Sequence, residues 1–180
     1  MREKFRELVK KKNRIYANLE LLHWDLETKT PVKSKPYLSD LVAELSMKEY
    51  ELFTSDEFVN LVETLNKEKE NLSEIEKKEI ELSMEDIERM KKIPSDEYEA
   101  YAKLTSINQG IWEEAKSKKD FSIVKANLEK IFNYNKKFAE YRRKNEKNLY
   151  DVLLNDYEKG MDTERLDVFF SELKKEIVPF

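Results

Sequence analysis

The chain has 180 residues, 40% of them charged, with a formal net charge of −4, two glycines, four prolines and no cysteine. Its length suits one domain or one lobe of a larger protein, and the lack of cysteine excludes disulfides and thiolate chemistry. No basic block suits a phosphate backbone, and no apolar run is long enough to cross a bilayer, which argues against nucleic-acid and membrane binding. The composition fits a reducing, cytoplasmic setting.

The scarcity of helix breakers predicts an all-α fold of amphipathic helices, which are antiparallel to their neighbours. The first helix ends within DLETKTP, where Thr30 precedes Pro31. A second helix begins near Pro36, and the cap signal TSDEF at residues 54–58 opens a third. The apolar stripes that predict these helices are Phe5, Leu8, Ile15, Leu19 and Leu22, then Leu38, Leu41, Val42, Leu45 and Leu52, then Phe58, Leu61, Val62 and Leu65.

The middle of the chain predicts three further helices. The segment SEIE, from Ser73 to Glu76, is a capping box that opens the fourth helix, and Pro94 suits the first turn of the fifth. Asp120 can cap the sixth, whose near-heptad spacing predicts a long coiled-coil-like hairpin with the fifth. The stripes are Ile80, Met84, Ile87 and Met90, then Tyr98, Tyr101, Ile111 and Trp112, then Phe121, Val124, Leu128, Ile131 and Phe138.

The end of the chain predicts one last helix. Residues 148–167 are less regular, Gly160 marks a stop within them, and Asp162 or Thr163 caps the last helix. Its stripe is Leu166, Phe169, Phe170, Leu173 and Ile177. With no repeat and no linker between these elements, residues 1–180 are predicted to form a single helical lobe without an internal boundary.

The residues themselves offer no catalytic, cofactor-binding or metal-binding centre. His23 is the only histidine, and Glu27 follows it by one helical turn, but two ligands do not close a zinc site. His23 is also in register with Leu19 and Leu26, which favours a half-buried structural histidine. The chain has no HExxH motif, no Gly-x-Ser-x-Gly elbow and no glycine-rich phosphate loop.

Several separated segments together resemble the carboxypeptidase Taq family of zinc metallocarboxypeptidases. Residues 21–31, LLHWDLETKTP, resemble its Leu-Leu-x-Trp-Asp-x-x-Thr-x-Met-Pro motif, with Thr30 in place of the methionine. Residues 45–58 are similar to the helix pair that follows, and residues 111–132 to its Trp-x-x-Ala-x-x-x-x-Asp-Phe segment. Residues 149–180 resemble its Tyr-Asp-x-Leu-Leu-x-x-Tyr-Glu-x-Gly-Met block. The matching residues are Trp24, Asp25, Thr28, Pro31, Trp112, Asp120, Phe121, Tyr150, Asp151, Tyr157, Glu158 and Gly160.

The resemblance implies the N-terminal lobe of a larger enzyme that removes single residues from peptide C-termini. In the family, the HExxH helix and a third glutamate ligand lie downstream, so the zinc or other divalent metal is expected outside this chain, which alone is expected to be inactive. The implied partners are the missing C-terminal catalytic region, a peptide substrate and a second copy, because family members are typically homodimers. The alternative is a free-standing, non-catalytic helical interaction module derived from the family.

The role of the first motif is open to a structural hypothesis. Asp25 and Thr28 are expected to hydrogen-bond the end of the first helix, with Trp24 packed beneath it. If Trp24 is buried in this way, its replacement by alanine would cost a few kcal/mol of stability, by an order-of-magnitude estimate of about 3 kcal/mol.

Overall fold

The computed structural model describes residues 1–178, and every regular element in that range is helical. The all-α prediction is confirmed. Pro179 and Phe180, the end of the predicted lobe, lie outside the described residues. The helices are α1 (Arg2–Thr28), α2 (Lys35–Thr54), α3 (Asp56–Lys67), α4 (Glu74–Lys91), α5 (Ser95–Lys118), α6 (Ser122–Arg142), α7 (Leu149–Tyr157) and α8 (Thr163–Ile177), with short 3-10 helices at Val32–Ser34 and Lys69–Asn71.

Side-chain caps fix several helix starts where the sequence predicts them. The Ser73 hydroxyl accepts the Glu76 N–H at 3.3 Å, and the Glu76 carboxylate accepts the Ser73 N–H at 3.0 Å, which completes the capping box of α4. The Ser55 hydroxyl caps α3, and the Asp162 carboxylate caps α8 by accepting the Arg165 N–H at 2.9 Å. Pro94 differs slightly from expectation, because it is the N-cap of α5 and lies just outside its first turn.

Contacts divide the chain into two compact units, the first comprising residues 1–131 and the second beginning at Phe132. The prediction of a single lobe without an internal boundary stays a prediction. The first unit contains α1 to α5 and the start of α6, and the second contains the rest of α6 with α7 and α8.

The core of the first unit lies where α1, α2, α3 and α4 meet. The Phe58 side chain is fully buried, with its ring centroid 6.4 Å from that of Phe5 and 5.6 Å from that of Phe53. The predicted stripes of α3 and α4 supply most of the rest of this core. A second cluster joins α1 to α2 through Ile15, Leu19, Leu26, Val42 and Leu52.

The packing partner of α5 in the first unit is α2, and the two helices are antiparallel. The Ser39 hydroxyl near the start of α2 donates to the Ser106 carbonyl at 3.0 Å, and the Tyr50 hydroxyl near its end donates to the Ile93 carbonyl at 2.6 Å, just before α5 begins. The Tyr50 ring also stacks on that of Tyr98, with centroids 4.8 Å apart. The predicted coiled-coil hairpin of α5 with α6 is not confirmed.

The second unit contains a helix that the sequence analysis missed. The pattern of residues 148–167 is less regular and predicts no helix before Gly160, but Leu149–Tyr157 form α7. The Asn148 side chain caps it by accepting the Asp151 N–H at 3.0 Å. Arg142, at the end of α6, holds the Asp156 carboxylate with two hydrogen bonds of 2.9 and 2.8 Å. An N-cap asparagine before a short apolar run is the signal that could have found this helix.

Candidate functional site

The first motif ends α1 through its backbone and two threonines. The Thr28 hydroxyl donates to the Trp24 carbonyl at 2.6 Å, and the Thr30 hydroxyl donates to the Asp25 carbonyl at 2.8 Å. The Asp25 carbonyl also accepts the Lys29 and Thr30 N–H groups at 3.0 and 2.9 Å. The expected hydrogen bonding of the helix end is therefore made by the Thr28 hydroxyl and by the Asp25 backbone. Pro31 follows in an extended conformation, with φ of −58° and ψ of 142°.

Two expectations for this motif are wrong. The Trp24 side chain is 63% exposed, so it does not pack beneath the helix end. His23 is exposed and not half-buried, although it is in register with the buried Leu19 and Leu26, because no other element covers the helix at this position.

The second motif lies where α5 ends and α6 begins. Trp112 is 42% exposed, and the Lys116 ammonium lies 4.8 Å from the centre of its ring. The Asp120 carboxylate accepts the Ser122 N–H at 2.9 Å and the Ser122 hydroxyl at 2.6 Å, as expected of a cap for α6. These bonds favour the charged carboxylate and lower the pKa of Asp120. The Phe121 side chain remains 64% exposed.

The third motif joins α7 to α8. Asp151 is buried, and its carboxylate accepts the Thr163 N–H at 2.9 Å, so a side chain in the first turn of α7 caps the first turn of α8. This bond from Thr163 is the main cause that lowers the pKa of Asp151. Gly160 has a φ of +80°, and its N–H donates to the Asn155 side chain at 2.8 Å. The remaining motif residues are exposed: Tyr150, Tyr157 and Glu158.

The twelve residues that carry the resemblance therefore act within their own segments, as caps, turns and exposed side chains. Their hydrogen bonds either close a turn or helix end or, for Asp151, join α7 to α8, and none of them forms a catalytic pair. Among residues 1–178, no three His, Asp or Glu side chains lie close enough together to hold a metal ion. No helix in the same range is long and apolar enough to cross a membrane.

A groove that the sequence did not predict opens between the end of α1, the start of α2 and the second half of α5. It has a volume of about 640 Å³, with apolar walls that include Leu26, Pro36 and Ile107. Lys35 and Glu113 form an ion pair in it, and the Gln109 amide donates to the other Glu113 carboxylate oxygen at 3.3 Å. The two charges of the Lys35–Glu113 pair therefore neutralise each other inside the groove.

The first unit also contains a cluster of charged side chains that the sequence does not predict. The Asp86 carboxylate of α4 is 3.4 Å from the Lys12 ammonium and 3.1 Å from the Arg89 guanidinium. Burial raises the pKa of the nearby Glu49 carboxyl, and the negative charge of Asp86 adds to this effect. Burial also raises the pKa of the Tyr98 hydroxyl to about 12. These charges connect α1, α2 and α4, and their arrangement is that of a structural network.

Known proteins match this chain over nearly its whole length. The family model described as carboxypeptidase Taq (M32) metallopeptidase matches residues 4–180. The chain belongs to this family. The resemblance drawn from the sequence motifs is thus confirmed, and the helices above are those of a carboxypeptidase Taq family member.

Two curated carboxypeptidases match the chain. Carboxypeptidase 1 of Bacillus subtilis (strain 168) is 36% identical over 177 residues, which are 98% of this chain and 35% of the relative. Thermostable carboxypeptidase 1 of Pyrococcus furiosus is 35% identical over 180 residues, with 98% of this chain and 36% of the relative covered. The chain spans about a third of the length of the curated relatives that it matches.

Solved structures of the family have the same fold. The crystal structure of BsuCP superimposes with a TM-score of 0.92 at 36% identity, and covers 98% of this chain and 35% of that one. The apo-Mg structure of Pyrococcus furiosus carboxypeptidase superimposes with a TM-score of 0.77 at 34% identity, and covers 98% of this chain and 36% of that one.

Proposed function

We propose that this chain is the N-terminal helical region of a metal-dependent carboxypeptidase. The observation that carries the proposal is the family match over residues 4–180, with carboxypeptidases of which the chain spans only about a third. The catalytic residues would then lie in the remaining two thirds of such an enzyme. Residues 1–178 contain no cluster of metal ligands, so they do not fit a catalytic metal by themselves.

Within the whole enzyme, the proposed reaction is hydrolysis of the last peptide bond of a peptide. A zinc or other divalent ion held elsewhere would polarise the scissile carbonyl and activate water. The part assigned to this chain is structural: its helices form a wall beside the substrate, and its caps hold that wall in shape. A cytoplasmic location and an assembly of identical chains are part of the same proposal.

A chimera tests this function directly. This chain would be joined to the part of Bacillus subtilis carboxypeptidase 1 that it does not match, and release of the C-terminal residue from an N-blocked dipeptide would be measured. We expect turnover that a chelator abolishes and added zinc restores, while the isolated chain gives none.

Two results would contradict the proposal. One is a folded, metal-loaded chimera without carboxypeptidase activity, and the other is metal-dependent turnover by the isolated chain. The gene offers an independent check, because an HExxH motif encoded in frame after codon 180 would support a longer enzyme. A stop codon there would favour the free-standing interaction module.

A further inference from the structure

The last described helix, α8, has an apolar face that is mostly exposed in the described chain, with only Leu166 half-buried. Five apolar side chains recur along it with spacings of three and four residues and so share one side of the helix. They are Leu166, Phe169, Phe170, Leu173 and Ile177, and none of them is buried. We call this set the α8 face. Its Phe169 and Phe170 rings, 55% and 50% exposed, meet edge-on with centroids 5.3 Å apart.

The other sides of α8 are polar. On a helical wheel the charged side chains either flank the α8 face, as Glu176 does beside Phe169, or lie opposite to it. Val168 is an apolar residue on the opposite side, and it is 60% exposed. The charged residues are Glu164, Arg165, Asp167, Glu172, Lys174, Lys175 and Glu176. This separation is the pattern of a helix that buries one side against a partner. A short helix gains most of its stability from such burial, so the face implies an occupant.

We propose that the α8 face is a docking surface for the two thirds of the carboxypeptidase that lie outside this chain, and that its occupant is an apolar surface of that region. This inference rests on the proposed function. The matched segment occurs in relatives of which it forms only 35–36%, so the same helix exists there inside a chain almost three times as long. The BsuCP structure, which has the same fold with a TM-score of 0.92, is that of such a longer chain.

The chemistry of the face restricts the occupant. The five residues of the face are all apolar, so a charge placed at its centre would lose hydration without gaining an ion pair. Two phenylalanines, two leucines and an isoleucine suit an apolar helix or groove, into which large side chains insert as anchors. A second copy of this chain is the rival occupant, because two such faces could also cover each other.

Hydrogen exchange of the α8 amides tests the proposal in the chimera described above. We expect these amides to exchange at least about tenfold more slowly in the chimera than in the isolated chain, because docking suppresses local opening of the helix. Leu173→Glu places a charge in the α8 face and should remove this protection. Val168→Glu makes the same kind of change on the polar side of the same helix and should leave the protection unchanged.

Three results would contradict the docking proposal, and a fourth would assign the face to a second copy. Equal effects of the two substitutions, or an unmutated chimera whose α8 exchanges as fast as in the isolated chain, would overturn the proposal. An unmutated chimera that aggregates counts against it equally, since the face would then remain uncovered. An isolated chain that forms a stable dimer, which Leu173→Glu but not Val168→Glu makes monomeric, would assign the face to a second copy instead.

Failure of the proposed function would look different. A chimera with protected α8 amides but no peptidase activity supports the docking surface and contradicts the function. A chimera with activity but an unprotected α8 supports the function and contradicts the docking surface.

Discussion

Phe58 and Trp24 are both large aromatic residues, but they differ completely in burial. Phe58 is fully buried between Phe5 and Phe53, whereas Trp24 is 63% exposed at the end of α1. We expect Phe58→Ala to lower the free energy of unfolding by about 3–5 kcal/mol, because it leaves a cavity. Trp24→Ala should change it by less than about 0.5 kcal/mol. Urea unfolding of both variants measures the difference, and a loss above about 1 kcal/mol for Trp24→Ala would mean that Trp24 is packed after all.

Glu49 gives a prediction about pH. Burial and the Asp86 charge raise the pKa of its carboxyl above the ordinary value of 4.5, so the folded protein holds this proton more tightly than the unfolded one. Stability from this group is therefore lost as pH rises from 4.5 through the folded pKa. We expect Glu49→Gln to raise the free energy of unfolding at pH 7, and this gain should disappear at pH values below 4.5.

The exposed Glu51 of the same helix provides the control for this experiment. Glu51→Gln should leave the difference between neutral and acidic pH as it is in the unmodified protein. If Glu51→Gln changes the pH dependence of the free energy of unfolding more than Glu49→Gln does, burial of Glu49 is not its cause.

Some features of individual residues could be predicted from the sequence, and others could not. Asp120 and Asp162 could be predicted as caps because a short polar side chain before an apolar run has one common local role. The exposure of Trp24 and His23 could not be predicted. Periodicity shows that these residues lie on a helix, but it does not show which side of the helix another element covers. Asp151 was found only by resemblance, since its bond to Thr163 joins two helices.

The capping box of α4 provides a prediction for a single element. Ser73 caps through its side chain, whereas Ser34 occupies the same N-cap position before α2 without a side-chain hydrogen bond. We expect Ser73→Ala to lower the free energy of unfolding by about 1 kcal/mol and Ser34→Ala to change it by only a few tenths. Thermal unfolding of the pair, monitored by circular dichroism, makes the comparison, and equal losses would exclude the Ser73 hydrogen bonds as the cause.

Between helices, the sequence was less informative. The apolar stripes of α1, α3 and α4 predict which side chains these helices bury, but not which helices share a core. The antiparallel pairing of α2 with α5 was not predicted. The residues buried along α5 are Ala102, Ser106 and Ala115, which are too small to form a clear hydrophobic pattern. The sixth helix has the stronger heptad pattern, and that pattern led to the hairpin prediction that is not confirmed.

For the molecule as a whole, the sequence predicts the fold class and the family, because helix content and motif order are properties of the full chain. The division into two units was not predicted, because Ile131 and Phe132 lie in the middle of α6 and no break in the helical pattern marks them. The groove beside Lys35 was also missed, since residues 26–40 on one wall are distant in sequence from residues 106–117 on the other.

Metal dependence gives a prediction for the whole chain. A ligand that binds the folded state alone raises its melting temperature. Since residues 1–178 bring no three metal ligands together, we expect neither zinc nor a chelator to shift the melting temperature of the isolated chain. Differential scanning calorimetry with and without zinc measures this, and a rise that saturates with one equivalent of zinc would contradict the proposed division of the enzyme.

The contact between α2 and α5 constrains the size of its side chains more than their polarity. Ser39 and Ser106 are buried where the helices meet, and a β-carbon added at Gly110 would lie 3.9 Å from the Lys35 side chain. Glycine, alanine and serine can therefore replace one another along this seam during evolution, whereas leucine or phenylalanine would force the helices apart. Among related sequences, we therefore expect the side-chain volume at these positions to vary little while their hydropathy varies more.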